Sequence, residues 1–377
     1  MNTRRRIAFY APLKPPDHPI ASGDRQMARM LLSVLGKTGH EAFLASRYIS
    51  YSKRHGQEHM DARRDGAIAE AERLLAQWGS DGSAPDLWFC YHPYDKSPDW
   101  LGIEVCRRLG IPMITAEPCK TGQGPNGEWL PWRAEAQRGI SMAAMNIVMT
   151  PSDREYLSTF IPDDKVAWLK PFTDAEMLQA HPFPGDPWAQ RPEATKLLTV
   201  GMMRPGAKLD SYTLLATALE KLRDRNWNLA VCGEGPGRAQ VEELFAWAEP
   251  GRVNFLGEVP PEQVLDLMAR ADWLAWPGCR EAYGMVYLEA ANRGLPAVAV
   301  DNMGVPMVVE HERTGLLAEA IDAGAYAKCL DLALKDTVLR ERLSEGARRF
   351  ALQERNAVYA ASLLKDIVDK VLEEAGA

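Results

Sequence analysis

The 377-residue chain has no run approaching the ~18 apolar residues that a membrane span needs, and its basic start, MNTRRR, leads only into the short apolar run IAFYAPL. Neither a membrane anchor nor a secretory signal peptide is read from it. The six cysteines (Cys90, Cys106, Cys119, Cys232, Cys279, Cys329) form no CxxC pair, and the seven histidines show no HExxH spacing. That pattern excludes a disulfide framework and the common metal motifs. No DxD triplet occurs. Positive charge is not in excess either: the formal net charge is −7 and the sequence pI about 5.6, which excludes a general affinity for nucleic acid. An anionic ligand must therefore be held at a local site. These absences point to a reduced, cytoplasmic setting with no structural metal.

What is present is a soluble-globular composition, 46% hydrophobic and 25% charged, in a chain long enough for two cores. Short apolar runs alternate with helical stretches. In the first half, strands are expected at Ile7–Ala11, Glu41–Ala45, Leu87–Cys90, Met113–Ala116 and Asn146–Thr150, with helices at Arg25–Leu35, Asp61–Trp78 and Trp100–Leu109. The stretch from Pro171 to Ala194 carries five prolines and no periodicity, so it is read as a connection between domains. The alternation then restarts and runs to Val300. The pattern predicts an α/β protein of two Rossmann-like domains facing a central cleft, with boundaries 1–172, linker 173–194, 195–356, and a C-terminal helix in 357–377 that packs the halves together.

The stretch EAYGMVYLEA, Glu281–Ala290, sets two glutamates around one glycine. In a single helix an offset of eight residues would turn them about 80° apart, so they would not share a face. A loop that becomes a helix at Gly284 fits better, since the preceding strand stops at Pro277 and Gly278 and Gly294 ends the helix. The first-turn N–H groups around Gly284, Met285 and Val286 then point into the crevice at the carboxyl edge of a parallel sheet and favour an anion such as a diphosphate, with Tyr283 beside them as a further donor-binding candidate. Glu281 and Glu289 can accept hydrogen bonds from two sets of hydroxyls on either side. A nucleotide sugar has that form.

With these residues in view, the sequence resembles family-4 glycosyltransferases of the GT-B fold. Their E-x(7)-E pattern corresponds to Glu281 and Glu289, GVPMVVEHERTGLLAE (Gly304–Glu319) to the stretch ending in TGLL, VCGEGPGR (Val231–Arg238) with Gly235 to the GxGP turn, and VNFLGEV (Val253–Val259) to the segment beside the base. The resemblance implies that Glu281 holds donor-sugar hydroxyls, Glu289 the ribose, and the backbone at Val259 the base. It also implies a cationic loop after the second domain's first strand, here VGMMRPGAKLD, with Arg204 and Lys208 neutralising the departing diphosphate. Met202 stands where the family has its arginine, which makes Lys208 the firmer choice. Met307 replaces the family's usual glutamate.

For the N-terminal half the resemblance implies the acceptor side. Gly23 occupies the place of a glycine near the diphosphate, in the proline-rich loop PLKPPDHPIASGDRQMAR. Arg25 beside it either touches an anion or lies on the surface. His92 follows the third strand, where the family often has a histidine near the donor sugar. Trp129 and Trp132, in the glycine-rich segment Cys119–Gly139, either stack on an acceptor sugar or pack the loop down.

The function implied is a retaining transfer of a sugar from a UDP- or GDP-linked donor to a hydroxyl of a glycan, lipid or small molecule in glycoconjugate or polysaccharide biosynthesis. A front-side mechanism without metal or other cofactor is expected. The alternatives are a nucleotide-sugar epimerase or hydrolase on the same fold, or a donor-binding protein without turnover. Arg4–Arg6 with Lys53, Arg54, Arg63 and Arg64 either hold the N-terminal domain on an anionic membrane or are solvated.

Overall fold

The computed structural model describes residues 4–20, 22–120 and 127–376, and the chain divides into two compact units. The first comprises residues 1–170 and 357–377, the second 171–356. In the first, strands β1 (Arg6–Tyr10), β2 (Glu41–Leu44), β3 (Leu87–Tyr91), β4 (Met113–Ala116), β5 (Met145–Val148) and β6 (Val166–Trp168) form one parallel sheet in the order β2-β1-β3-β4-β5-β6. In the second, β7 (Thr195–Val200), β8 (Trp227–Cys232), β9 (Val253–Gly257), β10 (Trp273–Ala275), β11 (Ala297–Val300) and β12 (Gly315–Ala318) form another, β12-β11-β10-β7-β8-β9. Helices connect successive strands within each sheet, except that a single 3-10 turn, Val305–Met307, stands between β11 and β12. None among the described residues is long and apolar enough to cross a membrane.

The central strands are near-continuous apolar runs because helices cover both faces. LWFCY of β3 and WNLAVC of β8 are buried at every position. Local chemistry sets the helix ends. Asp99 caps helix Trp100–Leu109 by accepting from Gly102 N at 2.7 Å, and Gly110, at φ 68°, closes it. Thr150, expected as the end of a strand, instead caps helix Pro151–Leu157 in a reciprocal box with Asp153, so β5 stops at Val148.

The proline-rich stretch is not a free connection. It runs as a strap along the second unit: His181 N donates to Glu262 O at 2.9 Å, Phe183 N to Asp266 at 3.1 Å, and Arg270 Nη2 to Gly185 O at 2.9 Å. Its anchor is Trp188, fully buried, with Nε1 donating to Leu197 O at 3.2 Å. Proline removed the periodicity without removing the packing. The C-terminal helix, Ala357–Gly376, belongs to the first unit, where it lies on helix Gly23–Gly36. Buried His40 ties it down, accepting from Arg5 N at Nδ1 and donating through Nε2 to Asp369 at 2.9 Å.

Trp188→Ala is expected to destabilise the protein by ~3–5 kcal/mol, the usual range for emptying a buried tryptophan site. Urea unfolding measures it, and a loss within experimental error would mean that the strap is not part of the second unit's core.

Candidate functional site

In the second sheet β7 and β10 are neighbours, yet the chain leaves them in opposite directions, β7 toward β8 and β9, β10 toward β11 and β12. Their carboxyl ends therefore border the crevice where open parallel sheets receive ligands. The two loops that flank it are 201–206 and 276–284. Lys208 stands in the first turn of helix Ala207–Glu220, just beyond the first loop, and Glu281 lies in the second.

The two side chains meet. Lys208 Nζ pairs with Glu281 Oε1, which also accepts from Trp276 Nε1 at 3.3 Å. The ammonium lies 5.3 Å from the Trp276 ring centroid, and Tyr212 packs edge-on against that ring at 5.1 Å. A lysine in a helix's first turn opposes the helix dipole. Here a carboxylate and an aromatic face compensate it. Both helix starts at the crevice are capped by glycines without a side-chain hydrogen bond, Gly206 and Gly284; Leu209 N and Tyr287 N donate to Arg204 O and Gly284 O, which leaves the N–H groups of Ala207, Lys208, Met285 and Val286 to face an anion.

The Glu281 loop is built on close backbone approaches. Gly284 sits at φ 79°, where a side chain would be strained. Gly304, after β11, lies so near that a Cβ there would come within 1.5 Å of Ala282 O. Asn302 accepts from Arg280 N at 2.9 Å and donates to Gly278 O at 3.0 Å. On the other side, the loop after β8 holds Gly235 against Met203: Met203 N donates to Glu234 O at 2.9 Å and Gly237 N to Met203 O at 2.8 Å.

The other second-unit candidates lie at this same edge. Tyr283 is buried, and Met285 and Val286 form the half-buried first turn of helix Met285–Asn292. Val259 is half-buried in the loop after β9. Glu289 is half-buried, without a hydrogen-bond or ion-pair partner among the described residues, and burial pushes its carboxyl up to about 7. Arg204 is exposed on its loop and does not join the Lys208–Glu281 pair.

The first unit groups different chemistry at the ends of β3 and β4. His92 and Glu117 both adopt left-handed backbone, at φ 61° and 55°. His92 Nδ1 is 3.9 Å from Glu117 Oε2, its Nε2 is 4.0 Å from Cys119 Sγ, and Tyr91 OH donates to Glu117 at 3.0 Å. Burial alone would lower the His92 pKa, but Cys119, Glu117 and Asp24 outweigh it and hold it well above the ordinary value. Burial pushes the Glu117 carboxyl up to about 7 against the pull of His92.

Arg25 turns back onto its own loop, with Nη1 donating to His18 O at 2.9 Å and Pro19 O at 3.3 Å. Gly23 is exposed, with open space where a Cβ would be. Trp129 and Trp132 are buried and pack on each other at 5.5 Å, with Trp132 also against Trp100 at 5.5 Å. They pack their segment down and offer no face for stacking, while residues 121–126 of that segment lie outside the described ones. Of the basic cluster, Arg5, Arg6 and Arg64 pair with Asp86, Glu41 and Asp61.

Sequence reasoning missed Trp276, Glu117 and Cys119. All three end strands or follow them at a carboxyl edge, and that position was their available signal.

Residues 188–350 match the family described as Glycosyl transferases group 1. A D-inositol 3-phosphate glycosyltransferase of Corynebacterium efficiens is 33% identical over 153 residues, 39% of this chain and 35% of that protein. Across such curated relatives the match spans between 34% and 54% of their length. Among solved structures, a sucrose-phosphate synthase from Thermosynechococcus elongatus superposes with a TM-score of 0.74 at 16% identity, over 98% of this chain and all of that one. Anabaena HepE in complex with UDP gives 0.69 at 14% identity, over 97% of this chain and all of that one. The two parallel six-stranded sheets are those of the GT-B fold.

The raised Glu289 pKa carries a stability consequence with a definite sign. A carboxyl titrating near 7 when folded and near 4.5 when unfolded stabilises the native state fully below pH 4.5, and that contribution is lost as pH rises through 7. Glu289→Gln, which does not titrate, is therefore expected to be more favourable relative to wild type at pH 8 than at pH 5. Thermal melts at the two pH values measure it, and a difference independent of pH would contradict the assignment.

Proposed function

We propose that the chain is a retaining glycosyltransferase that takes a sugar from a UDP- or GDP-linked donor and passes it to an acceptor hydroxyl. The observation that carries this reading is the Lys208–Glu281 pair over Trp276, set at the switch point of the second sheet beside two helix starts without side-chain caps. The group 1 match over that unit, the glycosyltransferase names of the curated relatives and the UDP held by the Anabaena neighbour support it.

The chemistry follows from the charges. In the free chain Glu281 neutralises Lys208. A donor would exchange that pair: the diphosphate takes Lys208 and the first-turn amides of Met285 and Val286, and the sugar hydroxyls take Glu281. As the anomeric bond to the leaving oxygen lengthens, negative charge grows on the diphosphate, and preorganised donors stabilise it more than water does. Arg204, exposed on the same loop, adds a second cation. The acceptor oxygen attacks from the leaving-group face and the departing phosphate oxygen takes its proton, so configuration is retained without a separate carboxylate base. Glu289 accepts from the ribose hydroxyls, and the backbone at Val259 meets the base. Lysine and helix dipoles supply the positive charge, which makes a divalent ion unnecessary.

A thermal-shift panel of UDP, GDP, ADP and their sugars tests the donor site. One nucleotide at 100 times its Kd should stabilise the wild type by ~2.7 kcal/mol, a shift of a few degrees, and Glu289→Ala should abolish it. No shift with any nucleotide would overturn the reading, and release of free sugar without an acceptor would favour a hydrolase. Transfer is also expected to survive EDTA. Loss that Mg²⁺ restores would overturn the metal-free mechanism alone.

A further inference from the structure

The Glu281 loop and the Lys208 helix are separate segments, some seventy residues apart in sequence, and one buried hydroxyl joins them. Ser211 is fully buried in helix Ala207–Glu220. Its Oγ donates to Ala207 O at 2.9 Å and accepts from Cys279 N at 2.9 Å. Ala207 adjoins Lys208, and Cys279 lies two residues before Glu281. The hydroxyl thus clamps the backbone next to one charged partner to the backbone next to the other. Outside it, Arg280 pairs with Asp210 in an exposed ion pair, and Arg280 N is held by Asn302. Exposed pairs contribute little. The buried serine is the tie that counts, because a backbone N–H left without it has no water to turn to.

Resting on the reading of Lys208 and Glu281 as donor-handling residues, we propose that Ser211 is a positioning residue: it sets the distance between the lysine that receives the diphosphate and the carboxylate that orients the sugar. It touches no substrate. Its contribution falls mainly on the step in which both partners must be in register, because nucleotide binding draws also on Glu289, the amides of Met285 and Val286 and the segment at Val259. Helix geometry explains why a small hydroxyl residue stands there. Ser211 lies one turn beyond Ala207, so its side chain bonds the carbonyl four residues back and still faces the loop.

The experiment compares wild type, Ser211→Ala and Ser211→Thr by thermal melting, nucleotide-induced shift and steady-state transfer, and repeats Ser211→Ala in a Glu281→Gln background. Ser211→Ala is expected to keep the shift caused by the nucleotide alone and to change donor KM by less than about threefold. Its kcat should fall about 10–100-fold, as a small misplacement of reacting groups does. Ser211→Thr, which keeps the hydroxyl, should recover most of that loss. In the Glu281→Gln background the serine change should cost less than about twofold, because the pair it aligns is already broken. An unchanged kcat in Ser211→Ala, or a loss that is fully additive with Glu281→Gln, would overturn the inference while leaving the donor reading intact. If the wild type neither binds a nucleotide nor transfers a sugar, the donor reading falls and this inference with it. Should Ser211→Ala fail to fold, Ser211→Cys tests the same tie with a weaker acceptor of similar size: a kcat loss of about threefold or more that vanishes in the Glu281→Gln background supports it, and an unchanged kcat or an additive loss opposes it.

Discussion

A lysine and a glutamate that satisfy each other across the ends of two neighbouring strands are the constraint around which the second unit is arranged. Each alone would be poorly placed, the lysine against a helix dipole and the carboxylate beside a helix start that an external anion could also occupy. Paired over Trp276, they are compensated without a ligand, and the surrounding glycines, Asn302 and Ser211 fix the backbones that present them. The sheet order matters for the same reason. Only because β10 is placed beside β7 do residues so far apart in sequence become neighbours.

Much of the architecture was legible because parallel strands are written as short apolar runs. Trp100–Leu109 and Met113–Ala116 have the expected bounds. Others escaped. Helix Leu130–Met142 hides its buried Trp132, Ala136 and Ile140 among Arg, Glu and Gln, and β12 lies within a stretch read only as a motif. The strap around Trp188 escaped because proline erases periodicity while leaving large apolar side chains free to pack.

In the candidate site, Glu281 could be read from its spacing around a glycine-marked loop and Lys208 from the resemblance of its own loop to the family's, since each is a property of one segment. Trp276 and Ser211 could not, since their roles exist only in contacts between segments that topology brings together. Arg25 shows the converse. A cation near a helix start reads equally as an anion ligand or as a surface residue, and here Nη1 of Arg25 bonds the carbonyls of its own proline-rich loop. Trp129 and Trp132 read equally as a platform or as packing; both are buried, Trp132 between Trp100 and Trp129, which favours packing.

The return of helix Ala357–Gly376 to the first unit makes the second unit an insertion within the first. During synthesis the second unit is complete in sequence once residue 356 has been made. The first, although begun earlier, lacks the cover for helix Gly23–Gly36 and the Asp369 partner of His40 until residues 357–376 emerge. The usual order, in which the N-terminal domain folds first, is thereby delayed. Until residues 357–376 have been made, the nascent chain carries an apolar helix face without its cover.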